Sequence, residues 1–369
     1  MSHNIRAVAQ QFQIEGQFLS SEPYGNGHIN DTYAATYQQG DGARRYIHQR
    51  INHDIFKDPI SVMENVGRIT AYLRHKLLAR NLPDVDRQTL TLIPANNNQT
   101  YHQDEGGNVW RTYLLIEDAQ TYDVVTSPAQ AYEVGKAFGN FQKQLDDLPG
   151  PRLRETIPDF HHTLKRFQAL QAAIEADRAN RARSARAEID FALQHESVAG
   201  VLIELQEQGH IPERVTHNDT KINNVMIDNR SGQGICVIDL DTVMPGLALY
   251  DFGDMVRTAT CLAAEDEQDL SKVFMQMPLF EKLSQGYLEA AGDFLTPAEV
   301  DHLAFSGKLI TFEIGIRFLT DYLNGDTYFK THRPDQNLDR CRTQFKLAQS
   351  IIEQEDAMTR LVRQLQGRG

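Results

Sequence analysis

The sequence predicts an α+β fold of two lobes, a small β-rich one at the N-terminus and a larger helical one after it. Three observations predict it. Residues 18–51 alternate and break like strands, apolar residues recur at helical spacing from residue 128 onward, and a polar segment with two short apolar runs, 215–239, interrupts the helical part. The change of character near residue 116 gives a first lobe of residues 1–116 and a second of 117–369. With 369 residues, 41% of them hydrophobic, the chain has core enough for both.

In the first lobe, runs 32–37 and 45–51 flank the turn-forming QQGDGA and read as a hairpin, preceded by the glycine turn YGNGHIN. A helix follows, because Val62, Val66, Ile69 and Leu73 share one face; Ser61 and Glu64 have the spacing of a capping box. Runs 90–93 and 109–116 are the remaining strand candidates. In the second lobe Val134, Phe138, Phe141, Leu145 and Leu148 mark one amphipathic helix, and Leu164, Phe167, Leu170 and Ile174 another. The Ala/Arg-rich EADRANRARSARAE continues as a strongly helical stretch with a solvated charged face, and helices resume from about residue 270.

Composition narrows the function. A net charge of −13 argues against a duplex nucleic-acid surface, which needs a basic face to replace counterions. The N-terminal MSHNIRAVAQQFQIEG lacks the apolar core of a signal peptide, and no run of about 18 apolar residues occurs. The expectation is a cytoplasmic protein without a membrane partner. Cys236, Cys261 and Cys341 are far apart and odd in number, so they read as free core thiols rather than a disulfide framework or a zinc set.

The polar segment begins VTHNDTKINNVMID, residues 215–228. Polar side chains at this density cost stability if buried and need no such order if merely solvated. The runs VMID (225–228) and ICVID (235–239), separated by NRSGQG, read as a second hairpin; pairing Val225 with Ile238 and Asp228 with Ile235 sets Asn224 opposite Asp239. Oxygen donors of this kind suit Mg2+, which shares one or two protein groups with substrate phosphates. HNDTKINN has the spacing of a kinase catalytic loop: Asp219 to receive the proton of the acceptor hydroxyl, Lys221 to reach the transferred phosphate, Asn224 to bind metal. Asp239 then stands where kinases place the metal-binding Asp of D-F-G. Asp241, two residues on along the expected strand, faces the same way and is expected to touch a second metal or orient Asn224. Turn-forming roles for Asn218 and Asp219 and a strand cap at Asp239 account for each residue singly but not for the joint spacing.

HNDTKINNVMID followed by VIDLDTVMPGLALYDFGDMVR resembles the aminoglycoside phosphotransferase and choline kinase superfamily. Through GNGHINDTY, YIHQRIN, FKDPISVMENV, PDFHHT and EIGIRFLTDYLNGDTYF it resembles, within that superfamily, the N-acetylhexosamine 1-kinases. The resemblance implies a two-lobed protein-kinase-like (aminoglycoside phosphotransferase-like) fold, ATP and Mg2+ as cofactors, and phosphorylation of O1 of GlcNAc or GalNAc with Asp219 as base. Gly25 and Gly27 would let backbone N–H groups approach the triphosphate. The superfamily's third strand usually carries a phosphate-gripping lysine paired with a helix glutamate. Here it reads YIHQRIN, with Gln49 or Arg50 in the lysine's region, and Arg50 paired with Glu64 is expected to take that part; Glu117, at the head of the linker, is placed with the nucleotide. His28, Asn30 and Asp31, with Asp219 and with Arg317 and Tyr328 of the C-terminal signature, are expected to hold the sugar. Asp251 and Asp254 of YDFGD read as extra metal ligands or as structural; the superfamily uses the first to brace the catalytic loop. His161 and His162 are adjacent, cannot easily share one metal on a helix, and stay unassigned.

Two other readings stay open. A kinase of another small alcohol, such as choline, homoserine or an aminoglycoside, shares Asp219, Asn224 and Asp239. A non-catalytic binding module predicts loss of one of those three positions, and all are present. The sequence does not fix the oligomeric state and is compatible with a monomer.

Overall fold

The computed structural model describes residues 3–25 and 29–367, so the expectations for Gly27 and His28 lie outside the described residues. The chain divides into two compact units. One comprises the segment up to Gln120 with Asp147–Pro158 and Met226–Met244; the other comprises Thr121–Asp146, Asp159–Val225 and the segment from Pro245 onward. The α+β character is as the sequence predicts, with an antiparallel sheet in the first unit and helices dominating the second.

The first unit is built on five antiparallel strands in the order β1-β2-β3-β5-β4: β1 Gln17–Pro23, β2 Asp31–Gln39, β3 Gly42–Arg50, β4 His102–Gln103 and β5 Val109–Leu114. The expected hairpin is β2–β3, in register from Asp31 opposite Arg50 to Gln39 opposite Gly42. Its two-residue turn uses Gly40 at a positive φ of 55°, a region where a side chain would be strained. The side chains of β1 are almost all exposed, so this edge strand carries no alternation to read. Run 90–93 is not a strand; it contributes an isolated bridge from Leu92 to Tyr113. Ile5, Val8, Phe12, Ala95 and Trp110 form one core cluster of the unit, and Ala9, Ala35, Tyr37, Tyr46 and Leu114 another.

The helix Pro59–Ala79 buries Val62, Asn65, Val66, Ile69 and Leu73. Its N-cap is Asp58, whose side chain accepts the Ser61 N–H at 3.1 Å, so the expected box of Ser61 and Glu64 is not formed. Pro59 sits in the first turn with its φ already helical, and the chain has entered the helix before Ser61.

The second hairpin is present as neighbouring strands β8 Val225–Asp228 and β9 Gly234–Val237, with β6 Ala119–Gln120 on the other side of β8. Asp228 closes its loop by accepting the N–H groups of Arg230 at 3.0 Å and Ser231 at 2.7 Å. Strand β9 ends at Val237. Asp239 has a left-handed φ of 59° and heads a 3-10 turn, Leu240–Thr242, so Asp241 does not follow it on a strand face. Aspartate tolerates that conformation, and it turns the chain out of the ladder two residues earlier than expected.

In the second unit the helices Pro128–Leu145 and Met277–Ala291 approach so closely that a Cβ on Gly135 would lie 2.2 Å from the Leu283 carbonyl oxygen, and one on Gly286 2.1 Å from that of Tyr132. The Ala/Arg-rich stretch is not one helix. Thr163–Ala176 stops at Asp177, whose carboxylate takes the N–H groups of Arg181 at 2.7 Å and Ala182 at 2.9 Å, and Arg186–Gln194 starts anew. A short carboxylate competing for backbone donors overrides the propensity of its neighbours. The three cysteines are buried and free, as expected. Among the described residues no helix is long and apolar enough to cross a membrane.

Candidate active site

In the second unit, strand β7 Arg214–Thr216 feeds the polar loop, which turns at Asn218 with a left-handed φ of 65°. The loop hangs from one face of the helix Ala248–Ala259. Asp251 accepts the N–H of His217 at 2.8 Å and of Asn218 at 2.7 Å, and Gln142 donates to it at 2.7 Å. Asp254 accepts the Thr220 N–H and the Arg257 Nε, each at 2.8 Å, and Thr258 donates to the Thr220 carbonyl at 3.2 Å. Asp251 is thus the expected brace, and Asp254 is a second one rather than a ligand. The spacing 251, 254, 258 is what puts three side chains on one face of a helix. That helix is seated tightly, since a Cβ on Gly253 would lie 2.3 Å from the Ser306 carbonyl oxygen of the helix Leu303–Asn324.

Asp219 emerges from this loop with its side chain 27% exposed and Lys221 Nζ 3.0 Å from Oδ2. Asn224 Nδ2 donates to the Asp219 carbonyl at 2.8 Å and to Oδ2 at 3.1 Å. Burial pushes the Asp219 carboxyl up, but the charges of Lys221, His217 and Arg257 more than offset it and hold the group below its ordinary 3.8. At neutral pH it is an anion that can orient and accept a proton while having little intrinsic basicity. Because Asn224 uses its nitrogen on Asp219, its amide oxygen is turned the other way, and no donor among the described residues takes it.

Beside the loop lie the remaining sequence candidates of this unit. Arg317 is 10% exposed and stacked over the rings of Phe160 and Phe329, 5.0 and 5.8 Å from the centroids. It makes no hydrogen bond among the described residues; its nearest carboxylate is Glu313 at 4.0 Å. Glu313 is already engaged by His161 Nδ1 at 2.7 Å and by the Thr163 hydroxyl at 2.5 Å. Arg166 donates twice to the Phe160 carbonyl, and burial together with the Arg317 charge pushes its pKa down, so two guanidiniums face the same region. Tyr328 is exposed, but its backbone is fixed: Asp321 accepts the N–H groups of Thr327, Tyr328 and Phe329 at 2.8, 2.8 and 2.9 Å.

In the first unit the turn at Asp239 is held by its neighbour. Asp241 is 2% exposed, ion-paired through Oδ1 with Arg111 and bonded through Oδ2 to Asn30 Nδ2 at 2.7 Å. Arg111, on β5, is 1% exposed and also donates to Gln49 Oε1 at 2.9 and 2.6 Å, its partner in the β3–β5 register. Burial opposes the Arg111 charge, but Asp241, with Asp239 adding to it, raises the pKa above its ordinary value. The Tyr113 hydroxyl, next to this cluster, is buried with no hydrogen-bond partner among the described residues. Asn65 clamps the far end of the turn, donating to the Val243 carbonyl at 3.0 Å.

The expected pair of Arg50 and Glu64 does not form. Arg50 bonds Asp31, directly opposite it in the ladder, at 2.7 Å, and Glu64 meets Arg154 at 3.3 Å on an exposed face. The helix turns Asn65 rather than Glu64 inward. Asn30 is spent on Asp241 and on the Asn52 N–H at 3.0 Å; Asp31 holds Arg50 and, at 3.3 Å, His3. Gly25 has a positive φ of 75° with nothing within 4 Å of where a Cβ would stand, and Glu117 pairs with Arg45.

Sequence reasoning missed Arg111, Asn65, Glu313 and Asp321. The signal was there for three of them: Arg111 interrupts the apolar VWRTYLLI, Glu313 interrupts ITFEIGI, and Asn65 falls on the same helical face as Val62 and Val66. A lone polar residue at a buried position has a partner, and the partner is worth seeking.

Three solved structures illustrate the fold. An aminoglycoside phosphotransferase from Alicyclobacillus acidocaldarius is 13% identical, with TM-score 0.58 over 100% of this chain and 98% of its own. A choline kinase from Cryptosporidium parvum is 12% identical, with TM-score 0.58 over 96% of each chain. A spectinomycin phosphotransferase, solved with ADP and spectinomycin, is 12% identical, with TM-score 0.50 over 95% of this chain and 97% of its own. At such identity the likeness concerns fold alone. A profile described as the phosphotransferase enzyme family matches residues 20–294, well over half of the sequence, and the chain belongs to that family.

Proposed function

We propose that the protein is an ATP-dependent kinase that phosphorylates O1 of an N-acetylhexosamine, GlcNAc or GalNAc, releasing ADP. The coarser statement, a small-substrate kinase with an alcohol acceptor, follows from family membership. One observation supports the sugar over a cationic acceptor such as choline or an aminoglycoside. Arg317 and Arg166 place two guanidiniums near Glu313, whose partner His161 bonds the turn before Asp219, and the carboxylates they face, Glu313 and Asp159, are already committed to His161 and Lys165. Such a wall repels a cation and offers N–H donors to sugar hydroxyls, while Phe160, Phe329 and Tyr328 offer ring faces to a pyranose.

In this reading Asp219 orients O1 and takes its proton as the new P–O bond forms and the bond to the leaving ADP breaks. An anomeric hydroxyl is more acidic than an ordinary alcohol, so the low basicity of Asp219 suffices and position dominates. Lys221 lies close enough to Asp219 to move between that carboxylate and a transferred phosphate. The donors fit Mg2+ by type: among the described residues no donor takes Asn224 Oδ1, and Asp239 offers a carboxylate, so each is proposed as a magnesium ligand. When bound, the ion neutralises phosphate charge. Asp241 we read as the anchor of Arg111 and Asn30 rather than a ligand.

The test is ADP release from ATP and Mg2+ across GlcNAc, GalNAc, their unacetylated and neutral parent sugars, choline, homoserine and an aminoglycoside, with NMR of the product. Turnover of the acetylated hexosamines with phosphate on O1 is expected. Activity confined to choline or an aminoglycoside would overturn the sugar reading and leave the kinase.

A further inference from the structure

His161 takes no part in the phosphoryl transfer itself. Its ring is 3% exposed, with Nδ1 2.7 Å from Glu313 Oε1 and Nε2 3.0 Å from the Asn218 carbonyl oxygen. A carbonyl oxygen only accepts, so Nε2 carries a proton. Glu313 accepts the Thr163 hydroxyl at Oε2, and although burial pushes its carboxyl up, His161 and Arg317 hold it below its ordinary range, so Oε1 is an acceptor as well and Nδ1 carries a proton. Two obligate acceptors on two ring nitrogens make His161 an imidazolium. We propose that His161 is a positioning residue, an imidazolium clamp from Glu313 to the Asn218 carbonyl that holds the left-handed turn delivering Asp219 to the acceptor.

The placement gives the clamp leverage. Asn218 precedes Asp219, and its φ of 65° is a conformation that backbone sterics disfavour and that surrounding bonds must hold. Asp251 holds the N–H side of the turn, and His161 is its counterpart on the carbonyl side. Glu313 also faces Arg317 at 4.0 Å, so one carboxylate ties the proposed sugar-binding arginine to the catalytic turn. The charged and titratable groups around the ring are Glu313 and Arg317 from the helix Leu303–Asn324, and Asp254 and Tyr250 from the helix Ala248–Ala259, Tyr250 with its ring 5.5 Å away. Burial disfavours the imidazolium, but Glu313 outweighs it and holds the pKa above the ordinary 6.5. The clamp is therefore closed below pH 6.5 and opens as pH rises through its raised pKa.

The proposal rests on Asp219 as the base, and its test separates the two. His161→Gln and Glu313→Gln should each lower kcat by about 10- to 100-fold, with the KM for ATP changed less than about twofold, as expected for a misplaced catalytic group. Either change leaves a buried charge and can cost stability, so the double variant H161Q/E313Q, neutral on both sides, is the deciding one. It should recover Tm and not kcat; recovery of both would reduce the pair to core filling and overturn the proposal. In wild type, kcat should fall as pH rises above 6.5 through the imidazolium pKa, and that limb should be missing in His161→Gln. An unchanged limb would also overturn it. Finally, in an Asp219→Asn background His161→Gln should have little further effect on kcat. Full additivity contradicts the clamp, whereas near-normal turnover of Asp219→Asn alone contradicts the base and leaves the pH limb to judge the clamp.

Discussion

Both units carry a turn with a left-handed residue at or beside a carboxylate to which we give a role in the proposed reaction, and both tie it down with a buried ion pair. In the first, Arg111 and Asp241 secure the turn headed by Asp239. In the second, His161 and Glu313 secure Asn218, next to Asp219. The cations differ in kind. A guanidinium does not lose its proton in a protein, so the first turn keeps its cation as pH rises, while an imidazolium makes the second turn lose its own. A buried fixed charge supplies permanence, and a buried titratable one makes geometry depend on solution conditions.

The largest effect should come from breaking the permanent pair. Arg111→Met leaves Asp241 buried without its cation and should destabilise the first unit by about 3–5 kcal/mol. Trp110, the sole tryptophan and fully buried in that unit, makes urea melts followed by its fluorescence the natural measurement. A loss under about 1 kcal/mol would mean that Asn30 and Gln49 alone suffice and that the two turns are not comparable.

The first unit also contains a histidine of opposite sign. His48 is fully buried between Tyr37 and Thr112, and burial pushes its pKa down to about 4. The unfolded chain binds a proton at about 6.5 that the folded one refuses, so His48 costs no stability above that pH. As pH falls from 6.5 to about 4 the first unit should lose about 3 kcal/mol on this account. His161, raised, behaves inversely: its contribution is complete below 6.5 and is lost as pH rises through its folded value. Acid melts of His48→Gln read by Trp110 should lack the acid loss; an identical acid slope in the variant would remove His48 as its source.

If Asp219 is the base we propose, Asp219→Asn should lower turnover by about 10²-fold with modest change in substrate affinity. The carboxylate is held below 3.8, so no acid limb of kcat/KM above that pH should belong to it. A limb centred between pH 5 and 7 that disappears in Asp219→Asn would show that the neighbouring cations do not set its ionisation.

What the sequence made legible follows from what these turns are made of. The β2–β3 and β8–β9 hairpins could be read because they depend on local spacing and turn chemistry. The brace at Asp251 was legible only through resemblance. Arg50 with Glu64 failed because the ladder sets Arg50 opposite Asp31 and the helix turns Asn65 inward, both consequences of register that spacing alone does not fix. The helix expected across 177–185 failed because one carboxylate, Asp177, captured two N–H groups. The ion pairs Arg111–Asp241 and His161–Glu313 join residues 130 and 152 positions apart, beyond any local pattern.

Arg317 departs from both pairs and carries the smallest expected effect. Like Arg111 it is a guanidinium largely withdrawn from solvent, yet it has two phenyl rings and a distant carboxylate where Arg111 has Gln49 and Asp241 at bonding distance. A buried cation without hydrogen bonds is costly unless something else completes it. If the acceptor sugar does so, Arg317→Leu should raise the acceptor KM by about tenfold, the loss of one charge-assisted hydrogen bond, with the KM for ATP unchanged. Because leucine removes an uncompensated charge and keeps apolar contact with Phe160 and Phe329, Tm should hold or rise. A falling Tm with an unchanged acceptor KM would place Arg317 with Arg111 as a structural cation and leave the sugar wall to Arg166 and Tyr328.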